Sequence, residues 1–247
     1  MFAFAVLLTL GATVSALPTK DGWRIVGGEI AEIGAYPFMV TLKRPVNIHY
    51  CGGTLVNSRT VLTAGHCVFG AAPSFISAIA GTNTIDVEEG AISSVALVVH
   101  PNYNEKPLEN DIAMVILETG FQYSDLIGSV TLNSATIGAV PVFLIGWGVT
   151  GINDPNPNYL QRLDTRTITH SECQAFWGSA VNEDNLCTLS PVGQGLCYGD
   201  SGSPLLQTSD HSQVGIVSAG DPCALGSPDI YVRISSYVPW INSVANS

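Results

Sequence analysis

The chain has 247 residues, of which 46% are hydrophobic and 12% charged, and its formal net charge is −11. That length suffices for one large all-β unit or two small ones with a substantial core. The acidity excludes nucleic acid as a partner, because phosphate binding needs clustered Lys and Arg; it suits a well-solvated surface instead.

Residues 1–16, MFAFAVLLTLGATVSA, form an uncharged apolar run ending in the small-x-small triplet Val14-Ser15-Ala16. This reads as a signal peptide. A membrane anchor needs about 20 apolar residues, but polar residues resume at Thr19 and Lys20, and no other stretch is long enough to span a bilayer. The predicted protein is secreted and extracellular, without a membrane partner. Residues 1–24 contain Lys20 and Arg24 against Asp21, a net +1, so their removal would leave −12. The six cysteines are an even number, as expected where disulfides form, and they allow 15 connectivities. No CxxC pair occurs, which argues against structural zinc, and no N-x-[ST] sequon is present.

Short apolar runs separated by Gly, Pro and Asn recur at 38–42, 60–63, 95–99, 112–117, 141–146 and 213–217. They predict the strands of a sandwich or barrel. Helical periodicity is confined to 171–176 and to 237–245, where Val238, Ile241 and Val244 share a face. The stretch 153–158, rich in Pro and Asn, reads as an exposed loop.

A serine hydroxyl becomes a nucleophile only beside a general base that a third group orients. Of the five histidines, His49, His66, His100, His170 and His211, only His66 lies in a segment built to fix it: the apolar run 61–64 leads through Gly65 into His66-Cys67. A bridge from Cys51 to Cys67 across that hairpin would contribute on the order of 3 kcal/mol. Asp111 opens the uncharged run 112–117, where a buried carboxylate needs a partner; capping a turn with Asn110 is the other use for it. Ser201 stands in Gly199-Asp200-Ser201-Gly202-Ser203-Pro204. Glycines on both sides let backbone amides, those of Gly199 and Ser201, approach a substrate as an oxyanion hole. The order His before Ser, with Ser203 where a glycine would be needed, sets this apart from the G-x-S-x-G elbow.

TAGHC, NDIAMV and GDSGSP, in that order, resemble the chymotrypsin and trypsin family from Ile25 to about Ser247. The resemblance implies a catalytic triad of His66, Asp111 and Ser201 in a secreted serine endopeptidase, acting through an acyl-enzyme. It also implies an all-β fold of two packed six-stranded antiparallel β-barrels with a C-terminal helix, and disulfides Cys51–Cys67, Cys173–Cys187 and Cys197–Cys223. The segment Arg24-Ile25-Val26-Gly27-Gly28 resembles the family's activation junction. Residues 17–24 are then a propeptide and 25–247 the protease domain. Cleavage after Arg24 would free an ammonium on Ile25 to pair with Asp200. Partners implied are protein or peptide substrates, an activating protease and protein protease inhibitors, with a monomer as the working unit.

Around the primary pocket the resemblance places Gly195, Leu196, Tyr198, Ser218, Gly220 and Asp229. Gly195 stands where trypsins carry an aspartate, which points to chymotrypsin-like or elastase-like preference. Asp229 stands on the pocket wall where glycine is usual. Turned inward, it would admit basic side chains as well; turned away, it would not. Ser218 is expected to hydrogen-bond Asp111. Ser203 and Ala219 replace the usual glycine and tryptophan, and Thr82 replaces the first glutamate of the family's calcium loop at 81–90, so neither metal nor cofactor is expected. A non-catalytic relative acting as a secreted binding protein is the alternative, but such chains lose a triad residue and all three are present here.

Overall fold

A computed structural model of the chain describes residues 25–247 apart from Pro107 and Pro222. The expected signal peptide and propeptide, with Arg24, lie outside the described residues. Among the described residues thirteen strands and three α-helices follow one another: β1 (Glu29–Ile30), β2 (Met39–Arg44), β3 (Ile48–Asn57), β4 (Thr60–Thr63), α1 (Gly65–Val68), β5 (Ser77–Ala80), β6 (Ile92–Val99), β7 (Ala113–Leu117), β8 (Pro141–Gly146), β9 (Gln161–Ile168), α2 (His170–Trp177), β10 (Asn185–Thr188), β11 (Pro204–Gln207), β12 (Gln213–Ala219), β13 (Asp229–Arg233) and α3 (Ile234–Ala245).

The first half closes as β2-β3-β4-β7-β6-β5. The second closes as β8-β9-β10-β13-β12-β11, with β1 added to the outside of β9. All these ladders are antiparallel, so the fold is the predicted pair of six-stranded barrels. Closure leaves neither barrel itself with an open sheet edge.

Local chemistry explains the turns. β3 and β4 are joined by Ser58-Arg59, and Asn57 Oδ1 accepts from the Arg59 amide at 2.9 Å, an Asx turn. α2 begins one residue earlier than the periodicity predicts because Thr169 and Glu172 form a capping box. α3 lays Ile234, Tyr237 and Ile241 into the first barrel's core, beside Val61, Leu62 and Met114. Ile145, Trp147, Phe143 and Leu206 pack with Phe38 and Met39 between the barrels. The three disulfides pair as the family resemblance implies.

One buried cation holds the loop at 81–90. Lys43, in β2, is 1% exposed, and its ammonium donates to Asn47 Oδ1 at 2.6 Å and to the carbonyls of Ile85 and Val87 at 2.5 Å each. Three oxygens satisfy its three donors.

Candidate active site

Strand register brings His66 to Asp111. β4 and β7 are antiparallel with Thr63 opposite Ala113. The chain leaving β4 and the chain entering β7 therefore sit at the same end of the first barrel, which sets His66, three residues after Thr63, beside Asp111, two before Ala113. The carboxylate is 1% exposed. Its Oδ1 accepts from the His66 amide at 2.7 Å, and its Oδ2 accepts from His66 Nδ1 at 2.8 Å and from Ser218 Oγ at 2.7 Å. A carboxylate can only accept, so Nδ1 carries a proton and a neutral His66 keeps Nε2 free to take another. Asn110, at φ 50, is pinned by Tyr237 of α3, whose hydroxyl donates to Oδ1 at 3.0 Å. The turn-capping use of Asp111 is not what the structure holds.

The Ser201 turn is tied to both barrels. Gly52 of β3 donates to the Ser201 carbonyl at 2.8 Å, and Gly202 donates to Val217 of β12 at 3.0 Å. Gly202 has φ 77, and a Cβ there would run into Thr63 Oγ1 and the Gly52 carbonyl, so only glycine lets the turn dock beside the end of β4. No hydrogen bond joins Ser201 Oγ to His66; Nε2 instead lies 3.9 Å from Cys67 Sγ. Among the described residues neither the Gly199 nor the Ser201 amide has a protein acceptor. Both are left for a ligand.

Three of the predicted pocket residues, Gly195, Leu196 and Gly220, lie against Asp229. Its Oδ2 accepts from the Leu196 amide at 3.2 Å. A Cβ built on Gly195 would lie 3.1 Å from Oδ2, and one on Gly220 3.2 Å from Oδ1. The carboxylate thus sits between those two glycines; it is not turned away. Burial pushes its pKa up to about 7, opposed by the Leu196 amide and reinforced by the charge of Asp200. Leu196 is buried beneath it and Tyr198 is exposed.

Asp200 is fully buried and accepts from the amides of Gly148 at 2.8 Å and Cys197 at 3.0 Å. Among the described residues it forms no ion pair. Burial pushes its pKa up to about 7, against those two amides. Ile25 is also fully buried, in the second barrel's core with Leu196 and Tyr231, and Val26 bridges Gly195.

Two further residues join the site without a sequence signal. His49 reaches the Gly199 carbonyl, and Asn156 packs behind the Gly199 Cα. A buried polar contact made 150 residues away in the chain leaves no trace in local pattern.

Ser203, the departure from glycine in GDSGSP, is fully buried between Gly52 and Gly146, and among the described residues its hydroxyl has no partner. Such a hydroxyl costs about 1–3 kcal/mol. Ser203→Ala is therefore expected to raise stability in urea unfolding by about 1 kcal/mol or more; equal or lower stability would mean the hydroxyl is satisfied.

A sequence model of the trypsin family matches residues 25–241. A chymotrypsin-2 of Vespa crabro is 39% identical over 88% of this chain and 98% of its own length. Trypsin II-P29 of Gallus gallus is 36% identical over 97% of this chain and 96% of its own, and the anionic trypsin of Canis lupus familiaris 35% over 98% of each. With paired barrels and a family match across nearly all of the described residues, the chain belongs to the chymotrypsin- and trypsin-like serine proteases, endopeptidases that act on proteins.

Proposed function

We propose that the protein is a secreted zymogen whose active form cuts polypeptides through His66, Asp111 and Ser201. Ser201 Oγ attacks the scissile carbonyl carbon while His66 Nε2 takes its proton. The oxyanion accepts hydrogen bonds from the Gly199 and Ser201 amides. Collapse expels the amine, which leaves with the proton from His66; water then hydrolyses the acyl-enzyme by the same steps. The observation that carries this reading is the doubly bonded His66–Asp111 pair set beside a serine turn with two unclaimed amides.

The zymogen reading rests on Asp200. A fully buried carboxylate with two amides and no cation is poorly compensated. An ammonium freed on Ile25 by cleavage after Arg24 would supply the missing charge, next to the Gly199 amide. The activating protease would be another trypsin-like enzyme, or this one acting on itself once Asp229 admits arginine. The apolar run 1–16 and three disulfides support secretion, and no helix among the described residues is long and apolar enough to cross a membrane. Protein protease inhibitors would bind as substrates do.

For the primary pocket we favour broad acceptance: apolar side chains over Gly195 and Leu196, and basic ones against Asp229. The relatives bear both chymotrypsin and trypsin names, so likeness alone does not choose.

An organophosphorus serine reagent should label Ser201 after cleavage and far more slowly before it. Arg24→Gln should yield a precursor that is exported and inactive. Full activity of that variant would overturn the zymogen reading, and absence of label on Ser201 in the cleaved protein would overturn the triad.

A further inference from the structure

Gly199 is gripped at its Cα and at its carbonyl by residues with no part in the triad. Gly199 has φ 94, and a Cβ there would lie 2.5 Å from Asn156 Nδ2 and 3.4 Å from Gly148 Cα. On the other side its carbonyl meets His49 Nε2 at 3.0 Å. A carbonyl only accepts, so Nε2 bears the proton, and His49 Nδ1 then accepts from Thr41 Oγ1 at 2.8 Å. Both nitrogens are assigned, and the imidazole is the neutral Nε2–H tautomer. Burial holds its pKa down at about 4, the Gly199 carbonyl pulls the other way, and the charge of Lys43 acts with burial.

Behind this pair stands Trp147. It is fully buried and meets the His49 ring edge-on at 5.7 Å, and its carbonyl accepts from Asn156 Nδ2 at 2.7 Å. The hairpin of β2 and β3, the residue after β8 and the loop before β9 thus converge on one residue, Gly199.

Glycine is the residue with most backbone freedom, and a free Gly199 would populate orientations that turn its amide away from a substrate. A donor fixed on its carbonyl and a carboxamide against its Cα restrict its torsions, and the peptide plane that carries its amide is held by Val149, which donates to the Tyr198 carbonyl at 2.7 Å. We infer that His49 and Asn156 are positioning residues of the oxyanion site, holding the Gly199 amide toward the tetrahedral intermediate. The inference rests on the reading of the Gly199 and Ser201 amides given above.

The test compares His49→Phe, which keeps a ring against Trp147 and removes the donor, with His49→Gln, whose amide can donate to the same carbonyl, both in the cleaved enzyme. Losing one oxyanion donor costs about 10²–10³ in kcat; loosening one should cost about thirtyfold or more, with KM within about twofold. Affinity for a peptide aldehyde, which forms a tetrahedral adduct, should fall in step with kcat, whereas affinity for the unreactive product peptide should not. His49→Gln should recover most of the loss. If the phenylalanine variant does not fold, Thr41→Val, which frees the imidazole to switch tautomer, should lower kcat severalfold with the same selectivity for the aldehyde. Unchanged kcat, or equal weakening of aldehyde and product, would overturn the positioning role. A Ser201→Ala control separates the two levels: retained activity there would remove the Ser201 nucleophile, and with it the tetrahedral adduct on which the oxyanion reading depends, whereas an inactive control beside an unaffected His49→Phe would remove only the inference.

Discussion

Asp111→Asn is expected to lower kcat about 10⁴-fold, the size of this change in the family's triads, while leaving the fold and KM nearly intact. The cause lies in the three hydrogen bonds that the carboxylate accepts. A carboxamide has one accepting oxygen and one donating nitrogen. With its oxygen kept on the His66 amide, its nitrogen faces His66 Nδ1 and Ser218 Oγ, both of which donated before. The imidazole answers by moving its proton to Nε2, where it can no longer take one from Ser201. Steady-state kinetics with a peptide amide check the rate, and labelling by an organophosphorus reagent should slow in parallel. A loss below about tenfold would mean that Asp111 does not set the tautomer.

The second large effect concerns Asp229. For cleavage after arginine its carboxylate must be ionised, and for cleavage after leucine or phenylalanine it need not be. Burial raises its pKa to about 7 in the unliganded pocket. Below that pH the ionised fraction falls about tenfold per unit. The ratio of kcat/KM for arginine over leucine substrates should therefore climb about tenfold per pH unit from pH 5 to 7 and level off above it, with the titration of His66 cancelling in the ratio. In Asp229→Asn the ratio should be flat and lower by about two orders of magnitude at pH 8. A flat ratio in the unmodified enzyme would remove Asp229 from basic specificity. Stability follows the same shift. The folded pKa lies above the ordinary 3.8, so the folded chain keeps this proton to higher pH than the unfolded one. The stabilisation is full below about pH 4 and is lost as pH rises through about 7.

Legibility of the fold in the sequence tracked unbroken apolar runs. The apolar runs at 60–63 and 141–146 coincide with β4 and β8, and those at 38–42, 95–99, 112–117 and 213–217 lie within a few residues of β2, β6, β7 and β12. Strands of mixed character escaped notice. β9, QRLDTRTI, alternates buried and exposed residues, with Asp164 and Arg166 outside. β13, DIYVR, begins and ends on a charge yet is buried throughout, because Asp229 accepts from the Leu196 amide and Arg233 donates to the carbonyls of Glu183 and Asn185. β3 contains Gly52 and Gly53, which break any apolar pattern; their Cβ atoms would collide with Ser203 and Val61. The candidate triad was legible because its residues stand in compact motifs. Orientation was not. Whether Asp229 faces inward depends on the space left by Gly195 and Gly220, and the parts played by His49 and Asn156 depend on a chain fold that brings distant segments to one carbonyl.

The clamp at Lys43 has a bearing on where such a protein can work. A loop organised by a dissolved ion is subject to mass action, and dilution or a chelating medium withdraws the ion. Here the charge is covalently part of β2 and cannot diffuse away. The remaining way to discharge it is deprotonation, which burial favours and the carboxylates of Glu88 and Asp86 resist. The order of the loop is thereby coupled to alkalinity through the charge on Lys43.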